Sequence, residues 1–308
     1  MAAHPSLNMN LARRQFLSIA LPAMAAASIH AAEPFARKGA ARLRLGLAAY
    51  SFRGFFKDGN AKAPPADRAM DLFGFIDFCA DNGCDGAELT SYYFPKDPTN
   101  EFLIKLRRHA FLRGIAISGT AVGNNFTHPE GEERTRQIAS VKQWIERAAI
   151  FGAPHIRVFA GIAKGITEVE ADRHIISALE ECAEYAGKHG IFLGLENHDS
   201  IGNAPKLLTL VRAIKSPWLG VNLDTGNFHT EDPYADIALA APFAVNVQLK
   251  VELRRRGAKA AEPADLPRKI KLLRDANYQG YVTLEYEAAQ DPFIAVPTHL
   301  KRMRELLA

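Results

Sequence analysis

Cysteine is scarce in this chain: Cys79, Cys84 and Cys182 are the only three in 308 residues. They stand in apolar helical or strand contexts without metal-type spacing, so they read as buried free thiols rather than a disulfide framework. Glycine-rich phosphate loops are missing too. Neither G-x-G-x-x-G nor G-x-x-x-x-G-K occurs, which removes the signature expected of a dinucleotide-binding or phosphate-binding open sheet. No apolar run is long enough for a stable membrane span; the candidate, Ser18 to Ile29, is too short. Charge of one sign is also lacking, with 38 Lys and Arg against 34 Asp and Glu for a net +4. Nucleic acid gains no support as a partner from that balance. The basic run Arg254-Arg255-Arg256 with Lys259 reads as a solvated loop.

What is present is a large apolar share, 48% of residues, enough for one large domain with a complete core. The first 32 residues are a separate object. Arg13-Arg14-x-Phe16-Leu17 precedes an alanine-rich, acid-free run, the layout of an export signal of the twin-arginine type. Residues 33–42 read as a linker and 43–308 as the domain, with a periplasmic location expected.

From residue 43 onward strands and helices alternate. The strands are read at Leu43 to Phe52, Cys84 to Phe94, Ile115 to Phe126, Pro154 to Gly161, Ile191 to His198, Leu219 to Asp224, the stretch carrying Gln248 and Lys250, and Tyr281 to Glu287. The helices between them end repeatedly at glycine, as at Gly114, Gly152 and Gly190. Eight strand–helix units predict a closed parallel (β/α)8 TIM barrel.

The stretch Leu219 to Leu253 organises the chain. In its first strand Val221 and Leu223 alternate with Asn222 and Asp224. In its second, Val247, Leu249 and Val251 alternate with Asn246, Gln248 and Lys250. Period two sends the aliphatic set to the outer helices and the polar set to the barrel interior. Chemistry in such a barrel sits at the C-terminal ends of strands. The polar residues there are Glu88, Arg157, Glu196, His198, Asp224, Gln248, Lys250, Glu285 and Glu287. Carboxylates converging from three strands require a cation, and oxygen ligands select Mn2+, Mg2+ or Co2+, with Zn2+ as a further possibility. The aromatics Tyr50, Phe52, Tyr92, Tyr93 and Phe94 are read as a sugar-facing wall or as packing.

The pattern resembles the xylose-isomerase-like superfamily, specifically its sugar phosphate isomerase/epimerase group, over nearly all of the chain after residue 43. The resemblance implies one divalent metal held by Glu196, Asp224, Gln248 and Glu285. Gln248 stands where the family usually has histidine, in Gln248-Leu-Lys250-Val251 against His-Leu-Lys-Asp. Asn227 stands where the family's Asp-x-x-His has its histidine, with His229 two residues on. Glu196, Glu285 and Lys250 are the expected catalytic residues, and Glu88, Arg157, His198 and Asn227 the expected substrate contacts.

The implied reaction is proton transfer next to a carbonyl in a small sugar or keto-glycoside, through a metal-stabilised enediolate. A lyase or hydratase eliminating a substituent from a 3-keto-glycoside needs the same first step and is the alternative. An endonuclease-type reading lacks the required histidines and basic face, and a sugar-binding module does not require converged carboxylates. A homo-oligomer is compatible with the sequence.

Overall fold

The computed structural model describes residue 1, residues 33–59 and residues 63–308. The expected export signal therefore lies outside the described residues, save for Met1. Eight parallel strands close into a barrel in the order β1-β10-β7-β6-β5-β4-β3-β2. They are β1 Arg42–Ala48, β2 Gly86–Thr90, β3 Ala116–Ala121, β4 His155–Val158, β5 Phe192–Glu196, β6 Leu219–Asp224, β7 Ala244–Leu249 and β10 Gln279–Leu284. A short antiparallel pair, β8 Glu252–Leu253 with β9 Glu262–Pro263, stands apart from the barrel. Closure is made by β1, whose Leu45 sits beside Val282 of β10 while its Gly46 sits beside Gly86 of β2. The (β/α)8 TIM barrel expected from the alternation is the observed fold.

The outer helices are α1 Leu72–Asp81, α2 Asn100–Leu112, α3 Glu132–Phe151, α4 Glu168–Lys188, α5 Ala204–Ala213, α6 Pro233–Ala240, α7 Leu266–Asp275 and α8 Pro292–Leu307. Their starts are set by short polar caps that satisfy free backbone N–H groups. Asp71 accepts from Gly74 N at 2.9 Å, and Thr167 with Glu170 forms a reciprocal capping box. Strands prove shorter than the apolar pattern suggests. The first ends at Ala48, because residues 49–52 turn into a 3-10 helix in which Ser51 Oγ accepts from Tyr286 N at 2.9 Å.

The main core lies between barrel and helices. Phe52 packs edge-on against Phe78 and Phe293, Tyr93 stacks on Phe56, and Phe94 meets Trp144 and Phe151. Three of the five aromatics considered for a sugar-facing wall are thus packing residues. Residues 33–41 run under the barrel: Phe35 meets Phe192 edge-on, and Asn277 and Gln279 donate to the carbonyls of Arg37 and Lys38.

The middle of the barrel is polar. Glu88 of β2 reaches across to β7, where Asn246 Nδ2 and Gln248 Nε2 donate to it at 2.7 and 2.6 Å. Asn222 joins them by donating to Gln248 Oε1 at 2.6 Å and accepting from Asn246 at 2.9 Å. His155 lies 4.0 Å from Glu88, and its ring Nδ1 is 3.0 Å from the Ser118 carbonyl. Burial holds that imidazole down at about 4, so it is neutral at physiological pH. Space for the ring comes from Gly119, where a Cβ would stand 1.8 Å from His155 Cε1. Gly119→Ala should therefore expel the ring and cost about 1–3 kcal/mol. The urea midpoint of the variant checks this; an unchanged midpoint would mean that the ring is not held there.

Candidate active site

The four elements β5, β6, β7 and β10 are neighbours in the barrel, so the residues at their C-terminal ends form one arc. Asp224 sits beside Gln248 across the β6–β7 pair, and Thr283 sits beside Gln248 from the other flank. Glu285 follows β10 and is fixed by its N–H to the Leu249 carbonyl at 3.0 Å. Asn197, next to Glu196, clamps β5 to β6 by exchanging two hydrogen bonds with the Asp224 backbone, at 2.8 and 2.9 Å.

Above this arc opens a cavity of about 110 Å3. Glu196 and Glu285 line it, together with Arg157, His198, Asn227 and Lys250 from the expected set. Tyr50, Tyr92, Phe159 and Glu287 complete the wall. Asp224, Gln248 and Glu88 lie beneath, at 0, 1 and 0% exposure. Glu88, expected to touch substrate, is instead wholly engaged with Asn246 and Gln248 below the floor. It had pointed inward at the right strand, but nothing in the sequence told how deep that position lies.

Two cations hold the carboxylates. Arg157 Nε stands 2.8 Å from Glu196 Oε2, while its Nη1 donates to the Val122 carbonyl and its guanidinium lies 3.8 Å from the Phe159 ring centroid. Asn227 donates to the other Glu196 oxygen at 2.9 Å. Lys250 Nζ is shared among Glu285 at 3.0 Å, Asp224 at 3.2 Å and Glu287. His198 is turned to the rim, where it pairs with Asp199 at 2.8 Å and packs on Phe159. Phe159 was not in the expected site, and Glu287, read at the end of its strand, had been given no role. Phe159 follows the C-terminal end of β4, which is the signal that could have found it.

Burial dominates the electrostatics. It pushes Glu285 up to about 7 and Glu88 up to about 8, and it raises Glu196 and Asp224 as well. Lys250 is also penalised by burial, but Asp224, Glu285 and Glu287 outweigh this and raise it well above its ordinary value.

The residues bear on a metal in two ways. As placed, no three Asp, Glu, His or Cys side chains among the described residues converge closely enough to chelate an ion. Their charge nevertheless fits one. Among the described residues Glu196, Asp224, Glu285 and Glu287 form ion pairs with two cations, Arg157 and Lys250, so full ionisation leaves two negative charges beyond these pairs, which a divalent cation would balance. Asp224 Oδ2 is buried and accepts no aligned hydrogen bond from a described residue. Three carboxylates and an amide suit a hard cation. Gln248 is the poorest of the four donors, since its Oε1 is bonded to Asn222 and its Nε2 faces Glu285 at 3.4 Å.

Solved structures of low sequence identity share this fold. A D-psicose 3-epimerase from Clostridium cellulolyticum H10, solved with D-tagatose, superposes with a TM-score of 0.66 at 17% identity, over 84% of this chain and 89% of that one. The 3-keto-D-glucoside 4-epimerase from E. coli gives 0.64 at 15% identity, over 86% and 100%. The IolI protein with a bound zinc atom gives 0.68 at 14% identity, over 85% and 96%. No curated protein is matched by sequence. The model of one sequence family does match, over residues 76–306, and with three-quarters of the chain so covered the protein belongs to the xylose isomerase-like TIM barrel family.

Proposed function

We propose that the chain is a divalent-metal-dependent sugar isomerase or epimerase that moves a proton on the carbon next to a carbonyl. One observation carries the reading. Glu196 and Glu285 line a single small cavity, each beside its own cation, and burial raises the proton affinity of both. Two carboxyl groups facing one cavity from different strands can take a proton and return one, which is what enolisation demands. The D-psicose 3-epimerase and 3-keto-D-glucoside 4-epimerase among the structural neighbours support the same class.

The roles follow from the contacts. One of the two carboxylates removes the proton and the electron pair moves onto the carbonyl oxygen; the other carboxyl then returns a proton to the opposite face of the same carbon, or to the former carbonyl carbon as the adjacent hydroxyl passes its proton to the former carbonyl oxygen. Arg157, anchored by Val122 and stacked on Phe159, holds Glu196 in position. Lys250 orients Glu285 and offers a donor to the developing oxyanion. His198, Asn227, Tyr50 and Tyr92 line the walls where sugar hydroxyls would lie. Glu196, Asp224 and Glu285 would hold the cation, whose positive charge would polarise the substrate carbonyl. Gln248 can add its amide oxygen only by giving up the Asn222 hydrogen bond. The Arg13-Arg14-x-Phe16-Leu17 signature supports a periplasmic site of action.

The deciding experiment incubates metal-loaded protein with free, phosphorylated and 3-keto sugars in D2O. Deuterium in a rearranged sugar supports the proposal, whereas release of an aglycone or water with an unsaturated sugar moves the protein to the lyases. Glu285→Gln should lower exchange by about 10^2-fold or more, with an unchanged circular dichroism spectrum; retained activity would remove Glu285 from the chemistry. Gln248→Ala should weaken divalent-ion binding by about tenfold, read by calorimetric titration. Equal affinity in the variant would show that Gln248 neither ligates the ion nor orients its ligands.

A further inference from the structure

The cavity that holds Glu196 and Glu285 is small, and it does not end at Lys250. A second cavity of about 240 Å3 shares Asn227, Lys250 and Glu287 with it and continues outward over the β6–β7 end of the barrel. We propose that this outer cavity is a subsite for a second sugar unit, so that the substrate is a disaccharide or other glycoside rather than a free monosaccharide. The inference rests on the isomerase or epimerase reading of the inner site.

The outer cavity is built and not merely a gap between loops. Its wall is the β8–β9 hairpin with the loop between the two strands, and that loop is laced to its neighbours. Arg255 Nε stands 2.9 Å from Glu262 Oε1, and its Nη1 donates to the Glu231 carbonyl at 2.9 Å. Arg256 N donates to the Thr230 carbonyl at 2.9 Å. Part of the basic run read as solvated thus fixes the shape of the subsite.

The lining suits a sugar ring. Val251 and Leu253, 9 and 2% exposed, present an apolar surface to the C–H face of a pyranose. His229, Arg254 and Lys259 stand around it with hydrogen-bonding heads. Among the described residues no Phe, Tyr or Trp lines this cavity, so its wall offers an aryl aglycone little to stack on and a hydroxylated ring several donors. The shared Lys250–Glu287 ion pair stands between the two cavities, where a glycosidic linkage would pass.

The test compares hexoses with 1→4-linked disaccharides containing the same hexose, in free and 3-keto form. Binding is measured by titration calorimetry and turnover by deuterium exchange, in the full chain and in Ala260→Trp. Ala260 is exposed, lies on the outer wall and touches none of the acid–base residues. A disaccharide should bind about tenfold or more tightly than its hexose. Ala260→Trp should remove that preference and leave hexose binding unchanged. A preference for the hexose, or a disaccharide preference that survives Ala260→Trp, overturns the subsite. If disaccharides bind with this pattern but no sugar exchanges deuterium, the subsite stands and the isomerase reading falls. Exchange with hexoses alone keeps the isomerase reading and removes the subsite, and binding of neither sugar class removes both.

Discussion

The constraint on which the site depends is the burial of like charges at the mouth of a closed barrel. Four carboxylates from β5, β6 and the segment after β10 meet around Arg157 and Lys250. Carboxylates removed from water are tolerated only when a positive charge or a proton accompanies them. Both solutions are present: cations sit between the carboxylates, and burial raises the proton affinity of Glu196, Asp224 and Glu285. Acids buried together in this way are costly as architecture and mark a candidate site for acid–base chemistry.

Lys250 is the pivot of that arrangement, and the chain fixes its backbone closely. Its N–H donates to Thr225 Oγ1 at 3.1 Å, and Thr225 N donates to the Gln248 carbonyl at 2.9 Å. Behind both stands Lys269 of α7, wholly buried, with Nζ 3.1 Å from Thr225 Oγ1 and 2.8 Å from the Lys250 carbonyl. Burial holds that amine down at about 7. An outer helix therefore sends a polar side chain through the strand layer to pin the turn after Asp224. The polar band in the barrel interior does the same from below, since Glu88 and Asn222 between them occupy both ends of the Gln248 amide.

Much of this was legible in the sequence, because two periodicities carry it. The period of two in Leu219 to Leu253 separated aliphatic from polar faces, and the polar face is the one found inside, at Asn222, Asn246 and Gln248. The helix stop read at Gly152 is found as the left-handed C-cap of Glu132–Phe151. Depth was not legible: alternation gives the face of a strand but not the layer, so Glu88 reads like a rim residue although it lies below the floor. Aromatic residues were ambiguous for a related reason. Tyr50 and Tyr92 reach the cavity, while Phe52 and Phe94 pack on the outer helices and Tyr93 stacks on Phe56, and their positions just past strand ends carry no alternation to sort them. The β8–β9 pair escaped notice because two-residue strands have no period at all.

That last element also separates two parts of the site. The carboxylates and their cations are held by barrel strands, by the helix residue Lys269 and by the interior amides, all of which are constrained by closure. The outer cavity is held by a loop whose contacts, Arg255 with Glu262 and Arg256 with Thr230, are made at the surface. Loops accept insertion and substitution far more readily than a closed sheet. On the proposed reading, proton transfer and substrate length are therefore written in different parts of the chain. The proposed acid–base pair could then be kept while the segment after β7 is rebuilt around a different second unit, with Lys250 common to the lining of both cavities.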